Sequence, residues 1–177
     1  DELPRSLTTM FSSGEALPLS TARAFLKKWP HCALENILSC TETSADISFC
    51  KITSQVTDSN RLLAPIADHR VCWQNTMEVR DGALVITGFN IPDKYLTPSA
   101  NGCFSKTADG RNVLASGDLA EWVEMADGTR LLWSNGRRDF NVKVRGHRVD
   151  LSGVEAVLED CEKLKDVAVF CAKENIW

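Results

Sequence analysis

The chain has 177 residues, of which 44% are hydrophobic and 25% are charged, and its formal net charge is −4 at pH 7. These proportions are ordinary for a folded protein of one domain, or of one domain and part of a second, and they argue against intrinsic disorder. The mild acidity argues against a nucleic-acid partner bound through its phosphates, and no apolar run approaches the roughly 20 residues of a membrane span.

The first third of the sequence alternates between strand and helix signals. Ser20 is the predicted N-cap of a helix that Pro30 ends. A polar turn is expected over residues 41–46. Short runs rich in apolar and β-branched residues predict three strands, over residues 7–13, 33–38 and 47–52. This order is typical of an α/β protein.

From residue 71 to residue 134 the sequence predicts β-structure of a different kind. Short apolar runs alternate with Asp-Gly and Asn-Gly pairs, which are typical of tight hairpin turns. Such pairs occur at residues 81–82, 101–102, 109–110, 127–128 and 135–136. We therefore expect a β-rich section that forms a barrel or a meander.

The C-terminal part of the sequence predicts a separate small unit. Two strands joined by a glycine turn are expected, over residues 141–144 and 148–150. Ser152 and Glu155 form a predicted capping box at the start of a helix, and residues 167–172 predict a further strand. The helix is expected to carry one apolar face, formed by Val154, Val157, Leu158 and Cys161.

The cysteines indicate a reducing compartment. There are seven of them, an odd number, and they are widely spaced without any Cys-x-x-Cys motif. This pattern is typical neither of a secreted disulfide framework nor of a zinc site. We therefore expect reduced and mostly buried thiols in a cytoplasmic protein, with no membrane partner.

Five segments resemble, in order, the signature motifs of adenylate-forming enzymes. This superfamily includes acyl-CoA synthetases, luciferases and the adenylation domains of nonribosomal peptide synthetases. The longest segment, GRRDFNVKVRGHRVDLSGVE at residues 136–155, resembles the hinge motif that the family writes as GRxDxQVKxRGxRxELxEIE. The other four are SGEAL at residues 13–17, NILSCTE at 36–42, GALVITGFNIPDKYL at 82–96 and SGDL at 116–119. They are similar to the family's GGEAL, NxYGxTE, GELxIxGxxxxxGYL and TGDL.

The resemblance implies a mixed α/β (α+β) fold in two parts. Residues 1–138 would form the C-terminal portion of the large AMP-binding subdomain, including a β-rich, barrel-like section. Residues 139–177 would form the hinge and the beginning of the small α+β C-terminal subdomain, so that the sequence would be a partial one.

The resemblance also implies an activity. Such ligases use ATP and Mg²⁺ to activate a carboxylate as an acyl-adenylate, and they then pass the acyl group to a thiol. The hinge resembles that of amino-acid-activating members and of enzymes of the aminoadipate-semialdehyde-dehydrogenase type. The implied substrate is an amino acid or another carboxylic acid, and the implied thiol partner is a phosphopantetheine carrier domain or coenzyme A.

The resemblance assigns the base and ribose sites to single residues. The backbone of Gly14, Glu15 and Ala16 would approach the adenine of ATP or AMP, because glycine leaves room for a flat ring. Leu38 would form an apolar wall beside the base. Asp118, on a predicted Gly-Asp turn after a strand, would accept hydrogen bonds from the ribose hydroxyls.

The phosphate side of the site is assigned to three further residues. Thr41 would offer its hydroxyl to a phosphate. Glu42 would be the metal ligand, because Mg²⁺ prefers one or two carboxylates together with phosphate oxygens. Arg137 is a permanent cation that suits ribose or phosphate oxygens.

The hinge motif assigns the last three candidates. Asp139 would be the hinge about which the small subdomain rotates between the two half-reactions. Lys143 and Gly146 would reorient with that subdomain, and Lys143 would serve the thioester-forming step.

Each of these residues also has a simpler structural interpretation when taken alone. Asp118 would be a turn acid that caps a backbone N–H, Glu42 a solvated loop charge, and Arg137 a surface cation. Lys143 would be an exposed strand residue and Gly146 a turn glycine. Only the ordered set of motifs favours the functional interpretation.

Several departures from the family pattern favour a second hypothesis. Leu38 stands where the family has an aromatic residue that stacks on adenine, and Ser39 and Cys40 replace the family's Gly-x pair and add bulk. The family's phosphate loop and its catalytic lysine do not occur in the sequence, so we expect the chain alone to be inactive. The alternative is a degenerate, non-catalytic remnant that binds nucleotide weakly or serves as an interaction module.

Overall fold

The computed structural model describes residues 3–71, 75–96, 102–138, 141–159, 164, 167–172 and 175–176. The chain divides into two units, Asp1–Gly136 and Arg137–Trp177. The predicted mixed α/β fold is confirmed, with sheet as the dominant element. No helix in the described part of the chain has the length and apolarity needed to cross a membrane.

The first sheet of the first unit has three strands, in the order β1-β2-β3. β1 runs parallel to β2, whereas β2 and β3 are antiparallel. The elements of this part are β1 (Thr9–Ser12), helix α1 (Leu19–Lys28), β2 (Ala33–Cys40) and β3 (Ala45–Lys51). The three predicted strands and the helix that ends before Pro30 are therefore confirmed.

Helix α1 begins before its predicted N-cap. The N-cap is Pro18 rather than Ser20, and no side chain caps the helix. Instead the N–H of Leu19 donates to the carbonyl oxygen of Leu62 at 2.8 Å. A backbone carbonyl from a later segment thus satisfies a donor at the helix start, a role that the sequence analysis gave to a serine side chain.

The second sheet is a six-stranded, largely antiparallel meander. Helix α2 (Ser54–Thr57) leads into it. Its strands are β4 (Ala67–Asp68), β5 (Asn75–Arg80), β6 (Ala83–Gly88), β7 (Phe104–Lys106), β8 (Asn112–Glu124) and β9 (Arg130–Arg137). Their order is β4-β9-β8-β6-β5, and β7 also pairs with β8.

Three of the five predicted turns join neighbouring strands of this sheet, at residues 81–82, 109–110 and 127–128. The pair at 101–102 lies partly outside the described residues. The turn predicted at 135–136 is wrong, because both residues lie within β9. There the Asn135 side chain donates to Glu121 of β8 at 3.3 Å, and strand pairing overrides the local turn preference.

Two clusters of buried side chains join the two sheets of the first unit. One cluster packs helix α1 against the first sheet and includes Leu19, Leu34 and Trp133 of β9. The other lies in the meander and includes Leu84 and Ile47 of β3. Each sheet thus contributes side chains to the cluster of the other. Since burying such a side chain contributes about 1.5–3 kcal/mol, we expect the two sheets to unfold together.

The second unit begins with the hairpin that the sequence analysis predicted. Strands β10 (Asn141–Val144) and β11 (His147–Asp150) are antiparallel. Arg145 and Gly146 form the turn between them, with φ of +50° and +79°. Such angles are typical of the tight type I′ turn.

The rest of the second unit departs from the prediction. Helix α3 (Leu151–Glu159) follows β11 directly, so Ser152 lies inside the helix and the predicted capping box is wrong. Glu155 Oε1 instead accepts the backbone N–H of Val169 at 3.3 Å.

Two further predictions for this unit are only partly met. The strand predicted over residues 167–172 is reduced to β12 (Cys171–Ala172), whose partner β13 (Asn175–Ile176) has two residues. On the predicted apolar face of α3, Val157 is 74% exposed and Leu158 is 39% exposed. Cys161 of that face lies outside the described residues.

Candidate functional site

Glu42 lies in a 3-10 turn that follows β2. The turn comprises Thr41–Thr43. It is closed by the N–H of Ser44, which donates to the carbonyl oxygen of Thr41 at 3.2 Å, and by the hydroxyl of Thr43, which donates to that of Cys40 at 3.0 Å. This geometry turns Glu42 inward, and only 7% of the residue is exposed. The structural alternative, a solvated loop charge, is therefore wrong.

The partner of Glu42 is a residue that the sequence analysis did not single out. The hydroxyl of Tyr95 donates to Glu42 Oε1 at 2.5 Å. Burial raises the pKa of Tyr95 far above its usual range, and the Glu42 carboxylate raises it further, so the hydroxyl keeps its proton. Tyr95 is the only tyrosine of the chain and lies in the motif at residues 82–96, which is the signal that could have identified it.

Asp118 lies on a β-bulge in the middle of β8 and not on the predicted turn after a strand. Ala115 pairs with Val85 and Leu119 pairs with Ala83, so β8 has three residues where β6 has one. The cause is local, because an extra turn-like segment is tolerated where a glycine adopts positive φ. Gly117, with φ of +81°, supplies that conformation.

The bulge is held in place by Ser116. Its hydroxyl donates to the carbonyl oxygen of Leu84 at 3.2 Å, and it accepts the backbone N–H of Asp118 at 3.2 Å. Bulges commonly redirect a side chain next to a functional site. Here the bulge interrupts the alternation of β8 at the residue that the motif assigns to the ribose.

Glu42 and Asp118 come from different sheets, but both lie within electrostatic reach of the Cys40 thiol. Burial is the main cause that raises the pKa of Cys40. Its contact with the Thr43 hydroxyl, at 3.1 Å, partly offsets burial, and the carboxylates of Glu42 and Asp118 raise the pKa further. Both candidate carboxylates therefore act electrostatically on one thiol, although they are far apart in the sequence.

The base-side candidates meet at one edge of the first sheet. Ser12 of β1 lies beside Asn36 of the parallel strand β2, so Gly14, Glu15 and Ala16 leave β1 where β2 approaches Leu38. Ligands of α/β proteins commonly bind at the carboxyl ends of parallel strands. Gly14 has a φ of +91°, and apart from its chain neighbours no atom of the described residues lies within 4 Å of the position of an added Cβ. A ligand could therefore approach the backbone of Gly14 closely.

Asn36 is a second residue that the sequence analysis did not assign. It is 2% exposed, and its Nδ2 donates to the carbonyl oxygen of Pro65 at 2.9 Å. Within the described part of the chain its Oδ1 has no hydrogen-bond partner. Leaving such a group unpaired costs about 1–3 kcal/mol, so an N–H donor of a ligand would stabilise it. Asn36 shares a face of β2 with Leu38, and the signal was its place at the start of the NILSCTE motif.

The remaining candidates belong to the second unit. Arg137 is half-buried, Lys143 is exposed on β10 opposite Arg148, and Gly146 lies in the hairpin turn. Asp139 lies outside the described residues. Their predicted roles remain predictions, and the turn conformation of Gly146 is also what its structural alternative requires.

The candidate residues suit a magnesium ion that is already bound to the phosphates of a nucleotide. No group of three or more His, Cys, Asp or Glu among the described residues forms a complete metal site. Mg²⁺ bound to phosphates needs only one or two protein carboxylates and keeps several waters. Glu42, with Oε1 bonded to Tyr95, can supply one carboxylate. The donor set therefore suits Mg²⁺ that is already bound to phosphate.

No family model matches the chain, but individual proteins do. It is 31% identical over 181 residues to the indigoidine synthase of Dickeya dadantii, across 93% of this chain and 12% of that protein. It is 29% identical over 182 residues to the D-alanine–D-alanyl carrier protein ligase of Bacillus velezensis, across 98% of this chain and 35% of the ligase. The chain therefore spans about a third or less of these relatives.

Solved structures show the same fold. The adenylation domain AlmE of Vibrio cholerae, solved in complex with glycyl-adenosine-5'-phosphate, superposes with a TM-score of 0.69 at 24% identity. The match covers 93% of this chain and 32% of that domain. The chain is therefore similar in sequence to part of these two proteins, and it has the fold of part of an adenylation domain.

Proposed function

We propose that the chain is part of an ATP-dependent adenylate-forming ligase and that its first unit supplies the nucleotide site. The observation that carries the proposal is the buried Glu42 carboxylate, bonded at Oε1 to the Tyr95 hydroxyl in the turn after β2, together with Asp118 on the bulge of β8. A carboxylate for the ribose and a carboxylate for phosphate-bound Mg²⁺ are both needed to hold ATP for attack on its α-phosphate.

The base and ribose would be held by residues of known geometry. Asp118 accepts hydrogen bonds from the ribose hydroxyls. The base would lie between Leu38 and the loop that begins at Gly14.

The phosphates would be held in the first unit by Thr41 and Glu42, while the contact of Arg137 with ribose or phosphate remains what the motif predicts. The Thr41 hydroxyl donates to a phosphate oxygen, and Glu42 holds the metal. When bound, Mg²⁺ neutralises charge on the phosphates as pyrophosphate leaves. Lys143 and the hinge at Asp139 and Gly146 would act in the second half-reaction, after residues 139–177 have rotated relative to residues 1–138.

The reaction has two steps. A carboxylate oxygen of the substrate attacks the α-phosphorus of ATP, so that an acyl-adenylate forms and pyrophosphate leaves. A thiolate then attacks the acyl carbon and displaces AMP. We propose an amino acid or another carboxylic acid as substrate and a phosphopantetheine carrier domain or coenzyme A as acceptor. The name of the D-alanine ligase, which specifies a carrier protein, and the glycyl-adenylate bound to AlmE support this choice.

The place of action that we propose is the cytoplasm. Four of the cysteines that the structure describes carry free thiols: Cys32, Cys40, Cys50 and Cys171. A reducing compartment keeps such thiols free.

Calorimetric titration with a non-hydrolysable aminoacyl-AMP analogue tests the proposal. We expect the wild-type chain to bind in the micromolar range. Asp118→Ala removes hydrogen bonds from a charged acceptor, worth about 1.5–3 kcal/mol each, and should weaken binding by at least about tenfold. Asp109→Ala is the matched control, since Asp109 lies in a turn of the same meander and pairs with Arg111. A folded wild-type chain that binds no analogue, or an Asp118→Ala chain that binds normally, would refute the proposal.

A further inference from the structure

We infer that Tyr95 is a positioning residue for Glu42: its hydroxyl fixes the orientation of the carboxylate that receives phosphate-bound Mg²⁺. This inference rests on the proposed function, because it concerns the role of Glu42 in that site. Tyr95 follows strand β6 of the second sheet, whereas Glu42 lies in the turn that follows strand β2 of the first sheet.

The Glu42 carboxylate keeps one orientation only if another group anchors it. The terminal torsion of glutamate is broad, so a carboxylate without an anchor adopts many orientations. In this structure Oε1 of Glu42 accepts the Tyr95 hydroxyl at 2.5 Å. Anchoring one oxygen sets the plane of the carboxylate and hence the direction of Oε2. A ligand oxygen fixed in advance binds a metal with less loss of conformational entropy.

Tyr95 is itself held in place by the residues around it. Its ring packs edge-on against Phe104, with 4.9 Å between ring centroids. The chain just before it is fastened to the turn of Glu42 by two further bonds. Asn90 Nδ2 donates to the carbonyl oxygen of Thr43 at 2.5 Å, and the Ser44 hydroxyl donates to the carbonyl oxygen of Asn90 at 3.1 Å.

These contacts separate the task of the hydroxyl from that of the ring. The Asn90 bonds hold the backbone of the turn, and the packing on Phe104 holds the ring of Tyr95. The Tyr95 hydroxyl bonds to the carboxylate itself. Removing only the hydroxyl therefore keeps these other contacts and takes away one anchor of the carboxylate.

The test measures the affinity of the chain for α,β-methylene-ATP by calorimetry, once with Mg²⁺ and once with a chelator. For the wild-type chain we expect tighter binding with Mg²⁺. Tyr95→Phe keeps the ring and should leave the metal-free affinity within about twofold. The gain due to Mg²⁺ should fall about tenfold, as expected for the loss of a hydrogen bond to a charged group. A purely structural residue would weaken both measurements alike.

A double-mutant cycle with Glu42→Gln tests whether Tyr95 acts through Glu42. Glu42→Gln alone should abolish the gain due to Mg²⁺, and Tyr95→Phe should then have no further effect, because coupled residues are not additive. Phe89→Leu is the control, since Phe89 precedes Asn90 on the same segment but is 77% exposed, and it should preserve the gain. Additive effects in the cycle would overturn the inference.

A second measurement does not depend on a variant that folds. Tyr95 is the only tyrosine, so 3-fluorotyrosine labels one position and gives one ¹⁹F resonance. Adding Mg²⁺ to the chain saturated with α,β-methylene-ATP should shift that resonance, and an unchanged resonance would overturn the inference. A wild-type chain that binds no nucleotide would instead overturn the proposed function. A Mg²⁺ gain that survives Tyr95→Phe would overturn the role of Tyr95 alone.

Discussion

The bulge that carries Asp118 depends on the conformation of Gly117. Its φ of +81° lies in the left-handed region, where an added Cβ costs about 1–2 kcal/mol. The bulge is held by two hydrogen bonds of the Ser116 hydroxyl, each worth about 0.5–1.5 kcal/mol. Since these magnitudes are comparable, Gly117→Ala should shift the bulge rather than leave it in place. We expect the aminoacyl-AMP analogue to bind about tenfold more weakly, which corresponds to about 1.4 kcal/mol.

Gly128→Ala is the matched control for this change. Gly128 lies in the turn between β8 and β9, its φ is +78°, and apart from its chain neighbours no atom of the described residues lies within 4 Å of an added Cβ. The backbone penalty is therefore similar, but no site residue is displaced. Both variants should lose about 1–2 kcal/mol of stability, which for a protein of this size lowers the melting temperature by roughly 2–8 °C. Only Gly117→Ala should lose affinity.

Circular dichroism melts measure the stability of the two variants, and calorimetric titrations measure their affinity for the analogue. If Gly117→Ala melts earlier than the wild type but binds the analogue equally well, the bulge does not hold Asp118 and the reasoning is wrong. If Gly128→Ala loses as much affinity as Gly117→Ala, the effect is global and the bulge has no special role.

Three further changes test the packing and electrostatics. Leu132→Ala removes a fully buried side chain and should lower the unfolding free energy in urea by about 2–5 kcal/mol. Burial alone would raise the pKa of Asp68, but hydrogen bonds from Arg70 outweigh burial and lower it. Arg70→Met should therefore lower the unfolding free energy at neutral pH, a loss that shrinks in denaturation curves as the pH falls below about 4 and Asp68 takes up its proton. Burial raises the pKa of Cys50 to about 12, so at pH 7.5 mass spectrometry should find Cys171 alkylated by iodoacetamide and Cys50 spared.

Local signals predicted the parts of the fold that depend on neighbouring residues alone. The turn of Asp81 and Gly82 joins β5 to β6 because both residues adopt positive φ, at +51° and +76°, which this pair tolerates well. The cap of α1 was predicted wrongly because the partner of Leu19 is a carbonyl of Leu62. A hydrogen-bond partner so far along the chain cannot be predicted from a local sequence pattern.

The candidate site, like the fold, was predicted only where local sequence signals suffice. The motifs placed Glu42 and Asp118 in one list of candidates, but they gave no geometry. Asp118 was expected on a turn because Gly-Asp pairs are typical of turns, whereas the pairing of β8 with β6 absorbs the pair as a bulge. Tyr95 went unassigned because its contact with Glu42 joins segments 53 residues apart.

The backbone around the site indicates that the second sheet builds part of it. Ser44 follows the turn of Glu42 with φ of +58°, a conformation that costs a residue other than glycine about 1–2 kcal/mol. Its hydroxyl bond to Asn90 offsets about 0.5–1.5 kcal/mol of that cost, and Asn90 follows a strand of the second sheet. Tyr95 follows the same strand, and Asp118 lies on the neighbouring one. The NILSCTE motif therefore cannot form the site by itself, and loss of packing between the sheets should abolish nucleotide binding together with the fold.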